Sequence, residues 1–249
     1  MYIWDDRSLS FGDNRQLEPH RHGSAELVVA LDQPFDSVLG LGIRVTARSM
    51  LIPPNVLHQN RHRDAICPIL YLDAEGRDYE ILTRSLQIND GIYRDLPFED
   101  SVRAVFKKIH AERPKPDDCY RSIEGALIGA PVPGRLALDP RIERILERIR
   151  DNPGVNYSID SLAIEAGLSS YRLQHLFTEQ VGLPYRKYRT WLRLKHAVRL
   201  VFDGESLTRA AYGAGFTDSS HFTNSFRKHF GATPSGLLTK RQDLTVYFG

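Results

Sequence analysis

Cysteine is scarce in this 249-residue chain: there are two, Cys67 and Cys119, far apart and in no metal-ligand spacing. That scarcity leaves no zinc-finger pattern and makes a reducing, cytoplasmic setting the expectation. Long apolar runs are missing too. None approaches the roughly 18 residues a membrane span needs, so no membrane partner is expected. The opening stretch "MYIWDDRSLSFGDN" is acidic and aromatic, without the basic-then-apolar layout of an export leader. What remains is an ordinary globular composition, 41% hydrophobic and 26% charged, in a chain long enough for two compact domains.

Charge is short on one side only. The net charge of +2 hides 16 Lys and Arg against 11 Asp and Glu from Asp139 onward, leaving 17 against 20 ahead of it. An acidic front half and a basic back half point to two jobs, the second with a polyanion. The stretch "PYRKYRTWLRLKHAVRLVF", Pro184–Phe202, contains no acid at all but six bases: Arg186, Lys187, Arg189, Arg193, Lys195 and Arg199. Its apolar residues suit one long helix, and its bases suit salt-dependent attraction to phosphates. Upstream, "DPRIERILERIRDNPG" reads as a capping helix, with Asp139 as N-cap, Pro140 in the first turn, and Ile142, Ile145, Leu146 and Ile149 turned inward.

The back half repeats itself. "SIDSLAIEAGLSSYRLQHLFTEQVG", Ser158–Gly182, and "SLTRAAYGAGFTDSSHFTNSFRKHFG", Ser206–Gly231, share their punctuation at an offset of 48 to 49 residues. Each opens on a Ser suited to N-capping and runs through Ala163 and Ala166, or Ala211 and Ala214, where a second helix must cross closely. Each then turns at Gly167 or Gly215 into an apolar residue, Leu168 or Phe216. The second helix of each unit is anchored by Leu173, Leu176 and Phe177, or by Phe222 and Phe226, and closes on Gly182 or Gly231. Such a pair is a helix-turn-helix, whose second helix lies in the DNA major groove. Two in tandem with the same punctuation weigh against helical hairpins that only build a core. The face opposite the anchors offers Tyr171, Arg172, Gln174, His175 and Thr178 in the first copy. In the second it offers Ser219, Ser220, His221, Thr223, Asn224 and Arg227. Gln and Asn pair bidentately with adenine, Arg with guanine, and small residues allow close approach to the groove floor.

Over residues 138 to 238 this pattern resembles the AraC/XylS family of bacterial transcription regulators. The resemblance implies two recognition helices entering successive major-groove segments from one side, roughly one turn or about 34 Å apart. It implies Tyr171, Gln174 and His175 as base readers in the first helix, and Ser219, Ser220, His221 and Asn224 in the second. The second helix is poor in long side chains, so it is expected to specify weakly and mainly to hold backbone.

From Arg15 to Leu72 the chain reads as short strands: "AELVVALD" (Ala25–Asp32), "SVLGLGIRVTA" (Ser37–Ala47), "SMLIPP" and "ICPILYLD". They are separated by "DQPFD", "PPNVLH" and "HRDA", which suggests a barrel or jelly roll. Within it His20, His22 and Glu26 fall as His-x-His-x3-Glu, with His58 later; in a strand His20 and His22 share a face. Glu26 keeps that parity only if the strand runs through Gly23–Ser24. This set resembles the cupin metal motif, without its glycine framing, since Asn55 stands where Gly is usual. Three readings stay open: a divalent metal (Zn, Fe, Mn or Ni), the polar wall of an effector pocket, or structural histidines.

Helical patterns follow. "PFEDSVRAVFKKIHAE" puts Phe98, Val102, Val105, Phe106 and Ile109 on one stripe, and "PDDCYRSIEGALIGA" carries Ile123, Leu127 and Ile128. The stripe serves an intramolecular core or pairs subunits into a homodimer. "APVPGRLALDP", Ala130–Pro140, reads as an interdomain linker. The expected organisation is thus a two-domain α+β chain. Residues 1–95 form a cupin-like β-barrel (jelly roll) sensor and 96–137 a helical linker or dimerisation segment. Residues 138–240 form an all-α tandem helix-turn-helix domain of the AraC type. The expected function is transcription control on operator or promoter double-stranded DNA, answering to a small-molecule effector or metal, with RNA polymerase as a partner if the protein is an activator. Two competitors are a metal-dependent cupin enzyme and a ligand-independent nucleoid or repair DNA binder. The barrel is short and tied to a DNA reader, which disfavours the enzyme. The repair reading needs a reactive, electropositive cysteine, whereas Cys67 in "AICPIL" reads as strand core.

Overall fold

The computed structural model describes residues 1–11, 17–62, 65–87, 91–127, 138–239 and 245–249. Ile128, most of the Ala130–Pro140 linker and Lys240 lie outside the described residues. The chain divides into two compact units, Met1–Arg135 with Asp243–Gly249, and Leu136–Gln242.

Among the described residues the first unit holds two β-sheets. One has seven strands in the order β10-β7-β4-β9-β2-β1-β11: Tyr93–Arg94, Ser49–Ile52, Ala25–Val29, Pro68–Leu72, Arg7–Phe11, Tyr2–Ile3 and Tyr247–Phe248. The other has four, in the order β3-β8-β5-β6: His20–Arg21, Leu57–Arg61, Phe35–Leu39 and Ile43–Ala47. All pairs are antiparallel except β1 with β11. Strand β4 is buried on both faces, and its period of two sorts its side chains between two cores. Val28 packs with Phe35, Met50, Ile52 and Ile69. Ala25, Leu27 and Val29 pack instead with Val102, Phe106 and Ile109 of α2 (Glu99–Glu112) and with Cys119, Ile123 and Leu127 of α3 (Pro116–Leu127). The apolar stripe of these helices therefore lies in the core of the first unit. A further helix, α1 (Arg77–Ser85), contributes Leu82 to the same core.

Several elements differ from the sequence expectation. The run Ser37–Ala47 is a hairpin, β5 and β6 joined across Gly40–Gly42, because Leu39 pairs with Ile43. The stretch taken as a turn around His58 contains strand β8, whose buried residues are the polar His58 and Asn60 rather than aliphatic ones. Strands β1 and β2 precede the expected start of the barrel. Arg7 of β2 is buried because it pairs at 2.6 Å with Asp78 of α1 and lies over the Tyr120 ring of α3.

The second unit is all-helical: α4 (Pro140–Asp151), α5 (Ile159–Glu165), α6 (Ser170–Val181), α7 (Tyr185–Phe202), α8 (Leu207–Gly213) and α9 (Ser219–Phe230), ending in one π-helical turn at Ser235–Thr239. Asp139 caps α4 by accepting from the Arg141 backbone N–H, and Ile142, Ile145, Leu146 and Ile149 are buried as expected. Helix α7 buries Tyr185, Tyr188, Trp191, Leu192, Leu194 and Ala197. Its Leu194 and Ala197 share one core with Ala211, Ala214, Phe216, Phe222 and Phe226 of the second repeat. Among the described residues no helix is long and apolar enough to cross a membrane.

Candidate functional site

The two helix pairs of the second unit are built by the same local chemistry. Ser158 caps α5 by accepting from Ser161 N–H, and Ser206 caps α8 by accepting from Arg209 N–H. Ser169 and Asp218 cap the second helices, α6 and α9, by accepting from Arg172 and His221 N–H. The turns match bond for bond: Leu168 N–H donates to Ala163 O at 2.9 Å, and Phe216 N–H to Ala211 O at 3.0 Å. Gly167 and Gly215 take left-handed φ values of 65° and 80°, where a Cβ is strained. At Gly215 a Cβ would also lie 2.2 Å from Gly154 O, whereas at Gly167 it would meet nothing within 4 Å.

The anchors are where the sequence places them. Leu173, Leu176, Phe177, Phe222 and Phe226 are buried, and so is Phe216, while Leu168 is half-buried. On the opposite faces Tyr171, Arg172, Gln174, His175 and Thr178 are exposed, as are Ser219, Ser220, His221, Asn224 and Arg227; Thr223 is half-buried. In the first helix Tyr171, Gln174, His175 and Thr178 share one shallow groove with Glu179, an acid that the base-reading pattern did not include. Its carboxylate stands 3.8 Å from His175 Nδ1, so it opposes phosphate approach at the C-terminal end of that face. In the second helix the His221 ring packs edge-on against Phe216 at 5.3 Å, which orients it from below.

The six bases of α7 do not act alike. Arg186, Lys187 and Arg199 are exposed, Lys195 is half-buried, and half-buried Arg189 donates to Tyr157 O at 3.0 Å. Arg193 is buried and donates to Pro153 O and Gly154 O, at 3.3 and 3.4 Å. It joins α7 to the loop after α4 and is withdrawn from the phosphate-facing set. Gly154 O is also the atom that excludes a Cβ at Gly215, so the carbonyl that Arg193 bonds lies close against that glycine.

In the first unit His20, Glu26 and His58 converge between the sheets, all buried, with one ligand atom of each within 4.8 Å of the others. His20 and His58 are direct partners across β3 and β8, and their rings are 4.5 Å apart. Glu26 reaches them from β4 of the larger sheet: Oε2 is 3.2 Å from His58 Nε2 and Oε1 is 3.8 Å from His20 Nε2. Burial opposes ionisation of Glu26, but the nearby imidazoles, His58 foremost, outweigh it and hold this carboxyl well below its usual range. Burial likewise works against a charged His58, and the Glu26 carboxylate overrides it to raise that imidazole.

Glu26 thus joins the site from a separate strand, not by continuing the strand of His20. That strand ends at Arg21. His22 is buried but stands apart: its ring stacks on Tyr71 of β9 at 4.5 Å, and its Nδ1 is 2.6 Å from Ser24 Oγ. The sequence reading missed Asn60, whose Nδ2 lies 3.5 Å from Glu26 Oε2 and whose Oδ1 accepts from Ser37 Oγ at 2.9 Å. The signal was present in "LHQNR", where His58 and Asn60 alternate at the period of a strand.

Both thiols are sealed. Burial, aided by the nearby Asp32, pushes Cys67 up to about 12. Burial does the same for Cys119, also to about 12. Burial of this kind disfavours the thiolate that a reactive cysteine needs.

Residues 162–240 match the family model of a helix-turn-helix domain. The chain is similar to the HTH-type transcriptional regulator GlxA of Rhizobium meliloti, 31% identical over 130 residues, covering 52% of this chain and 38% of that protein. It is similar to the HTH-type transcriptional activator RhaS of Citrobacter koseri, 33% identical over 107 residues, covering 43% of this chain and 38% of that one. The chain therefore matches under two fifths of the length of these curated relatives. Its fold is shared with ToxT of Vibrio cholerae O395 at a TM-score of 0.60 and 12% identity, over 96% of this chain and 98% of that one. A second ToxT structure, with an unsaturated fatty acid bound, superimposes at 0.58 and 14% identity, covering 96% of each chain. The duplicated, identically capped helix pairs and these relatives agree: residues 162–240 form a helix-turn-helix domain that resembles those of AraC/XylS transcription regulators, in a chain whose fold is shared with ToxT.

Proposed function

We propose that this protein binds operator or promoter DNA in a sequence-specific way, and that its β unit modulates the binding by holding a small molecule between the sheets. The observation that carries the first part is the pair of helices α6 and α9, each capped, each anchored by buried aromatic or aliphatic residues, each presenting an exposed polar face. Tyr171, Gln174 and His175 read bases, and Arg172 and Arg227 flank them as base or phosphate contacts. Ser219, Ser220, His221 and Asn224 form the shorter second reader. Arg186, Lys187, Lys195 and Arg199 supply the non-specific attraction. The relatives are named as transcription regulators, which supports a regulatory rather than an enzymatic role.

The second part rests on the buried polar cluster at the sheet interface and on the fold shared with ToxT, two of whose structures hold carboxylic acids. A strongly perturbed, buried group of titratable side chains is a candidate binding site. A binding selection with the full chain on randomised duplexes, repeated across salt concentrations, tests the DNA reading. Enrichment of a bipartite motif supports it; equal affinity for all duplexes, with only a salt slope, contradicts it.

A further inference from the structure

The hydrogen-bond partners of the buried histidines fix where their protons lie. His20 Nδ1 is 2.9 Å from Glu18 O, and His58 Nδ1 is 3.0 Å from Val56 O. A carbonyl oxygen only accepts, so both Nδ1 atoms carry hydrogen. In the neutral rings each Nε2 then bears a lone pair, and both Nε2 atoms face the Glu26 carboxylate. Three sets of lone pairs thus point into one buried space, an arrangement that needs added protons or a cation at its centre. A histidine that binds a metal through one nitrogen characteristically donates the other N–H to a carbonyl. Glu18 O and Val56 O take that role here.

His22 is placed differently. Its Nδ1 lies 3.3 Å from the Ser24 backbone N and 2.6 Å from Ser24 Oγ. Among the described residues the close group of ligand atoms is that of His20, Glu26 and His58, without His22. The ring is held on Tyr71, and its centroid is 6.5 Å from that of His20.

We propose that His20, Glu26 and His58 bind a divalent first-row transition ion without His22. The set resembles the cupin metal motif with one histidine fewer: two imidazoles and one carboxylate. Such a set leaves further positions of the ion to water or to an oxygen donor of the effector. Asn60, itself fixed by Ser37, steadies Glu26, and the Ser24–Tyr71 contacts hold His22 out of the set. This deepens the effector reading of the β unit and does not depend on the DNA reading of the helical one.

The test uses the full chain, stripped with chelator and titrated with Co(II) alone. One equivalent is expected to give a saturable visible absorption band, and X-ray absorption of that complex is expected to count two imidazoles. Glu26→Gln and His58→Gln should weaken binding by more than about 100-fold, beyond what supporting residues cost. His22→Gln should change it by less than about threefold, with circular dichroism confirming that each variant folds. A wild-type protein with no saturable band, an X-ray count of three imidazoles, or His22→Gln losing as much as His58→Gln would each overturn the assignment. Operator binding measured on the stripped protein separates the two claims. If the stripped chain still selects DNA while Co(II) fails to bind, the regulator reading stands and the metal site falls.

Discussion

The two helix-turn-helix units are near copies in backbone and unlike in surroundings. Their caps, turn bonds and left-handed glycines correspond at an offset of 48 to 49 residues. Yet the first turn is open around Gly167, while the second is closed on Gly154 at Gly215. The first recognition face carries long side chains, Tyr171, Arg172, Gln174 and His175. The second opens on small ones, Ser219 and Ser220, ahead of His221, Asn224 and Arg227. What the difference teaches is that copied backbones serve different surroundings: the second turn is closed on a neighbouring carbonyl, and the first exposed face carries the longer side chains.

The sharpest break between the copies is expected at their glycines. Gly215→Ala should cost about 3 kcal/mol or more, because a fixed backbone carbonyl occupies the space of the methyl group. Gly167→Ala should cost only about 1–2 kcal/mol, the strain of a left-handed residue. Urea unfolding of both variants measures this, and equal losses would dissolve the contrast.

Next in size is the contrast between two bases of α7. Arg193→Met should destabilise the fold by about 2 kcal/mol through its lost charged hydrogen bonds, with the salt slope of DNA binding unchanged. Arg186→Ala should leave unfolding untouched and lower that slope by about one. If Arg193→Met instead changes the slope like Arg186→Ala, its burial is not the native arrangement.

Between the readers, Gln174→Ala should cost about 1–3 kcal/mol of discrimination at one base position. Ser220→Ala should shift preference far less. Selection on randomised duplexes checks both, and an unchanged motif with Gln174→Ala would remove it from the readers. The smallest effects are expected at the caps, where Ser158→Ala and Ser206→Ala should each cost about 1 kcal/mol in thermal unfolding. Clearly unequal losses would show that the two caps are not equivalent.

The helical unit was legible because its signals are local. Caps, alanines, turn glycines and aromatic anchors sit within one or two helical turns of each other, and recurrence doubles their weight. The β unit was legible in outline only, because strand partners lie far apart in sequence. Strand β8 was hidden because His58 and Asn60, its inward residues, are polar, and a polar run between a Pro-Pro pair and a charged loop reads as a turn. Strand β2 was hidden for the same reason, since buried Arg7 depends on Asp78, a partner some seventy residues away. The grouping of His20 with Glu26 and His58 follows from sheet pairing, and the separation of His22 from Ser24 and Tyr71. No spacing rule supplies either. Arg193 illustrates the converse: a base in a basic run whose burial shows only once the carbonyls of Pro153 and Gly154 are in place.

The central claim is that α6 and α9 read DNA together from one side. Hydroxyl-radical protection of a selected duplex by the full chain measures it most directly. The account predicts two protected segments on one face of the duplex, about one helical turn apart, with the segment under α6 the more sensitive to base changes. A single protected segment, or two on opposite faces, would contradict it.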